Sequence, residues 1–118
     1  MKVYIAAPYP ARTDAIAVMH RLESVGHHVT SRWLKDDEDP FDVTAQSKYA
    51  AKALADVRVA DVLLALNAPE WANAGTGGRH VELGCALALG KQVVLLGRRS
   101  NVFHHLSVVR VIERIEDL

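Results

Sequence analysis

The sequence predicts an α/β fold: one doubly wound, five-stranded parallel sheet with helices on both faces, of the flavodoxin or Rossmann kind. Three observations predict it. The length, 118 residues, suits one compact domain over residues 1–118. Half of the residues (50%) are hydrophobic and 24% are charged, which excludes a disordered chain. Short apolar runs alternate with helical patterns, as in parallel strands joined by crossover helices.

Lys2 to Ala6 (KVYIA) reads as a buried first strand. Asp14 to Val25 reads as a helix, because Ile16, Met19 and Leu22 fall near helical spacing. Thr13 or Asp14 can cap its start, and Gly26 follows its end. His28 to Trp33 is a second strand, and Lys35 to Pro40 a charged loop. A second helix runs from Thr44 to Val59. Asp61 to Leu66 is a third strand, apolar on both faces as a covered parallel strand requires. Val81 to Leu89 is a third helix, ended by Gly90. Gln92 to Leu96 and Val108 to Ile112 complete the sheet. Ligands in such folds bind beyond the carboxyl ends of the strands. That rule points to Ala7-Pro8-Tyr9, to Asn67–Arg79 and to Gly97–His105.

Charge and composition narrow the partners. Fourteen basic residues balance fourteen acidic ones, so the surplus that grips a nucleic acid polymer is missing. No apolar run approaches the roughly 20 residues needed to cross a bilayer. The N-terminus lacks the features of a signal peptide. The single Cys85 forms no internal disulfide and fits a reducing cytoplasm. The expectation is a cytoplasmic protein that acts on a small molecule, with no membrane partner.

The segment Asn67–Gly84 is the most informative. Gly75, Gly77 and Gly78, with Thr76 between them, let the backbone approach a ligand closely. A helix follows, so its free N–H groups face that ligand. Glu82 is expected in the first helical turn, kept ionised by the helix dipole. An ionised carboxylate at a glycine-lined pocket suits a nucleophile or an electrostatic stabiliser. An ordinary helix-start glutamate is the other reading, and residue physics leaves both open. Tyr9 and Trp71 either stack on a ligand ring or pack their loops onto the domain. His27-His28 and His104-His105 lack zinc-ligand spacing, so no metal site is expected.

The run Gly77-Gly78-Arg79-His80-Val81-Glu82-Leu83-Gly84, continued to Gly90-Lys91, resembles the nucleoside 2-deoxyribosyltransferase family, which includes related deoxynucleoside 5′-monophosphate N-glycosidases. Val3-Tyr4-Ile5-Ala6-Ala7-Pro8 is similar to that family's first strand and loop, and Ala60–Ala65 to the strand before its active loop. The resemblance implies an enzyme that cleaves the N-glycosidic bond of a deoxynucleoside or its monophosphate, without a cofactor. It implies that Glu82 is the nucleophile and that Tyr4 hydrogen-bonds it. It also expects an Asp where this chain has Ala53. Asp56, about one turn further along, either substitutes or is an exposed charge at the helix end; His80 is another candidate acid. Asn101 resembles a residue that reaches a neighbouring subunit's pocket and favours a 5′-hydroxyl. Ser100, with Arg98 and Arg99, favours a 5′-phosphate; the two arginines also suit a solvated loop. A homodimer or higher homo-oligomer is expected, with Val102, Phe103 and Leu106 as contact candidates. The competing readings are a nucleotide-binding module without catalysis and, set aside for want of an acidic pair after the first strand, a flavodoxin-like signalling domain.

Overall fold

The computed structural model describes residues 1–118. Its strands are β1 (Lys2–Ala6), β2 (His28–Val29), β3 (Val62–Asn67), β4 (Gln92–Gly97) and β5 (Val109–Ile112). Three helices, α1 (Arg12–Ser24), α2 (Gln46–Val59) and α3 (Gly78–Ala88), link the first four strands in turn. The last link, β4 to β5, carries only a 3-10 turn at Val102–His105. All pairings are parallel, in the order β2-β1-β3-β4-β5. The doubly wound five-stranded sheet is therefore as the sequence predicts. Its order reverses between β1 and β3, the flavodoxin-type switch point.

Two cores follow from the period-two alternation of the strands. Val3 and Ile5 of β1, with Val62 and Leu64 of β3, meet Ala15, Met19 and Leu22 of α1. Tyr4 and Ala6, with Leu63 and Ala65, meet Val57 of α2 and Leu83 and Ala86 of α3. This alternation commits Tyr4 to the face that carries α3.

Several boundaries differ from the sequence expectation. β2 stops at Val29 rather than Trp33. There the Ile5 N–H donates to Ser31 Oγ at 2.6 Å, and Trp33 Nε1 donates to the Ile5 carbonyl at 3.0 Å. Side chains satisfy the edge that a longer strand would have paired, and the chain turns into a 3-10 segment at Arg32–Leu34. α1 begins at Arg12, and neither Thr13 nor Asp14 caps it, because a 3-10 turn at Tyr9–Ala11 runs directly into the helix. α2 begins at Gln46 rather than Thr44. α3 begins at Gly78, three residues before the expected Val81, so Glu82 lies past the first turn. β3 starts and ends one residue later than expected, β4 extends to Gly97 and β5 starts at Val109. No helix is long and apolar enough to cross a membrane.

Candidate active site

A cleft of about 540 Å³ opens beyond the carboxyl ends of β1 and β3, at the reversal of strand order. Ala7, Pro8 and Tyr9 form its β1 side, and Gly75, Thr76, Gly77 and Gly78 its α3 side. Gly75 has φ +77°, and a Cβ there would stand 3.0 Å from Pro8 Cβ. A glycine thus lets the two rims touch. Two of the three strand-end segments selected from the sequence meet here.

Glu82 and Arg79, at i, i+3 spacing on α3, both line this cleft. The fully buried Tyr4 lies beneath, and its hydroxyl donates to Glu82 Oε2 at 2.5 Å. Withdrawal from water pushes the Glu82 carboxyl up to about 7; Glu38 and Asp56 add to this, while the Tyr4 hydrogen bond pulls the other way. This corrects the expectation of a carboxylate kept ionised by a helix terminus: α3 carries no acidic residue in its first turn, and burial decides. Burial, then the Glu82 charge, holds the Tyr4 hydroxyl far above its ordinary value, so it stays a donor.

Asp56 also lines the cleft, at the buried end of α2. Arg32 donates to it twice, from its side-chain Nε at 2.8 Å and its backbone N at 3.0 Å. The alternative of an exposed helix-end charge is therefore wrong: the side chain is 7% exposed. Ala53 presents only a methyl to the cleft. His80 does not reach the cleft; it stands near His104, with ring centroids 6.2 Å apart, in a minor pocket on the β4 side. Burial and the Arg79 charge lower its pKa, which disfavours the imidazolium.

The third strand-end segment closes on itself. Asn67 Nδ2 donates to the Arg98 carbonyl at 2.7 Å and to Ser100 Oγ at 2.9 Å. Asn101 Oδ1 accepts from the backbone N–H groups of Phe103 and His104, capping the 3-10 turn. Neither Ser100 nor Asn101 lines this chain's cleft. Arg99 is not simply solvated, since its Nε donates to the His104 carbonyl at 2.9 Å. Buried His104 accepts from the Ser100 N–H. Trp71 packs against the α1-side core and lies outside the cleft, whereas Trp33, unassigned from the sequence, lines it.

Sequence reasoning missed three contributors. Arg79 is buried and holds the loop after β3, donating to the carbonyls of Leu66, Trp71 and Ala72 and to Asn67 Oδ1. Glu38 and Lys52 form an ion pair on the α2 wall. Apolar periodicity does not register such residues; the only signal was the charge run before Pro40. No group of three or more His, Cys, Asp or Glu side chains is placed to hold a metal ion.

No family model matches the chain. No curated protein matches it by sequence. Solved structures do match by shape. A 2-deoxyribosyltransferase from Bacillus psychrosaccharolyticus superposes with a TM-score of 0.74 at 24% identity, over 99% of this chain and 89% of that one. The CMP N-glycosidase BcmB of Clostridium botulinum gives a TM-score of 0.66 at 19% identity, over 98% and 92%. A 2-desoxiribosyltransferase from Leishmania mexicana gives 0.56 at 22% identity, over 83% of this chain and 65% of that one. At these identities the likeness establishes the fold.

Proposed function

We propose that this protein is an enzyme of the nucleoside 2-deoxyribosyltransferase type, cleaving the N-glycosidic bond of a deoxynucleoside through a covalent glycosyl–Glu82 intermediate. The observation that carries the reading is the Tyr4–Glu82 pair, 2.5 Å apart on the floor of the cleft. A non-catalytic nucleotide-binding module has no use for a carboxylate there, because its charge would repel a phosphate. The names of the structural neighbours, two deoxyribosyltransferases and a CMP N-glycosidase, support the same class of bond.

In the first step a Glu82 carboxylate oxygen bonds to the anomeric carbon as that carbon's bond to the base nitrogen breaks. The base leaves with the bonding electrons and takes up a proton from water. In the second step an acceptor base or water attacks the same carbon, loses its proton and releases the carboxylate. Two displacements retain configuration. The absent 2-hydroxyl of a deoxyribose eases positive charge at that carbon. Tyr4 orients the attacking group, and burial strips the carboxylate of water that would blunt it. With Glu82 near 7, both ionised and neutral forms are present at neutral pH, and the ionised form attacks.

Hydrolysis of a 5′-monophosphate is the second reading, favoured by the CMP N-glycosidase among the structural neighbours. In both readings the protein works in the cytoplasm as a homodimer or higher homo-oligomer. The exposed Val102, Phe103 and Leu106 would form the contact and carry Ser100 and Asn101 to a neighbour's cleft. The test is chromatographic: all four deoxynucleosides and their 5′-monophosphates, with and without an acceptor base, beside Glu82→Ala. Base release lost in the variant is expected, and its dependence on acceptor separates transfer from hydrolysis. No release from any substrate overturns the reading.

A further inference from the structure

Where the resemblance expects an acidic side chain on α2, Ala53 leaves a methyl, and the neighbouring wall is built from Glu38 and Lys52. These two form an ion pair, each side chain 16% exposed. Both are fixed to the fold. The Lys52 ammonium also meets Asp36 Oδ2 at 2.8 Å and stands 5.7 Å from the centre of the Tyr49 ring. The Asp39 N–H donates to Tyr49 Oη at 3.1 Å. The loop carrying Glu38 is thereby tied to α2.

The three cleft carboxylates are not equivalent. Glu82 belongs with Tyr4, and both oxygens of Asp56 accept from Arg32. Glu38 gives one oxygen, Oε2, to Lys52. We propose that Glu38, held by Lys52, reads the nucleobase and selects bases bearing an exocyclic amino group over those bearing a carbonyl at the same position. This deepens the glycosidic reading above and rests on it. A carboxylate only accepts hydrogen bonds, an amino group donates them, and a carbonyl only accepts. Facing Glu38, a carbonyl would set oxygen lone pairs against each other in a partly dry wall. A site built to accept a hydrogen bond rejects the analogue that cannot give one. Tyr9 and Trp33, also in the cleft, supply flat surfaces for the ring.

The test compares matched pairs that differ at that position: deoxycytidine with deoxyuridine, and deoxyadenosine with deoxyinosine. In the wild type, kcat/KM should favour the amino member of whichever pair is turned over by at least about tenfold. Glu38→Gln, whose amide both donates and accepts, should bring the ratio within about threefold. Lys52→Gln, which frees the carboxylate, should move the same ratio less, and serves if the first variant does not fold. A structural role would lower both members equally; that result, or a wild-type ratio near one, overturns the proposal. Binding of free cytosine and uracil, and of adenine and hypoxanthine, followed by quenching of Trp fluorescence, needs no bond cleavage. If no nucleoside is turned over, the glycosidic reading falls by itself. An amino-base preference in binding that Glu38→Gln erases then still upholds the reader, and no such preference overturns it.

Discussion

The two sides of the cleft handle their carboxylates in opposite ways. Toward α2, Asp56 meets the Arg32 guanidinium and a backbone N–H, and Glu38 meets the Lys52 ammonium. Toward β1 and α3, Glu82 meets a neutral phenol. A cation stabilises a buried carboxylate and also lowers its appetite for an electrophile. A phenol orients it without cancelling its charge. The comparison teaches which carboxylate is free to react: the one whose burial is least compensated, and whose pKa is pushed up to about 7.

The sharpest way to break this contrast is to remove the uncompensated carboxylate. Glu82→Ala should lower the rate of base release by about 1,000-fold or more, because the covalent route is lost; chromatography of the released base measures it. Retention of more than a tenth of the activity would move the reaction to another group. Tyr4→Phe comes next. It removes the one interaction that lowers the Glu82 pKa, so the acid limb of kcat/KM, with its midpoint near 7 in the wild type, should move to higher pH. At pH 7 the loss should be about 10- to 100-fold. An unmoved limb would mean that Tyr4 does not set the charge of Glu82.

On the compensated side the effect should fall on stability. Asp56→Ala leaves the Arg32 backbone N–H without its partner and removes the guanidinium's acceptor, and should cost about 1–3 kcal/mol. A thermal melt should register it as a fall of about 3–10 °C. The last expected effect is a gain, of similar size. Glu82 has a folded pKa above its unfolded value, so its proton uptake favours folding below about 4.5. That contribution is lost as pH rises to about 7. Glu82→Gln should therefore match wild-type stability at pH 4 and exceed it by about 1–3 kcal/mol at pH 8, as urea titrations at the two pH values would report. Equal stability at pH 8 would show that the carboxylate is not penalised by its burial.

Much of this was legible in the residues. The apolar runs of β1, β3 and β4 announce covered parallel strands, and the glycines before Glu82 announce a strand-end loop. Alternation along β1 then puts Tyr4 on the α3 face without further information. What escaped has physical causes. The expected β2 is too long because hydrophobic pattern cannot foresee a serine hydroxyl and an indole N–H replacing a strand's backbone partners. The expected α3 is too short because Gly78 and His80 are poor helix formers, and the apolar pattern begins only at Val81. Glu38 and Lys52 escaped because a charge run reads as a solvated face; their pairing joins a loop to a helix remote in sequence. Ser100 and Asn101 lie outside this chain's own cleft, where Asn67 and the backbone of the 3-10 turn hydrogen-bond them.

Gly97 shows how closely the far side is closed: with φ +126°, a Cβ there would stand 2.4 Å from the Asn67 carbonyl oxygen. The β1 side has a different consequence. Tyr4 sits on a strand one in from the sheet's edge, paired on both sides at its start. Amide hydrogens of that strand should exchange with solvent only when the whole molecule opens, whereas those of the exposed segment around Phe41 should exchange through local opening. The floor of the cleft is thus as durable as the fold, while its rim is free to be rewritten. Descendants of this chain could change what they accept through the loop before α2 and keep the same reacting pair.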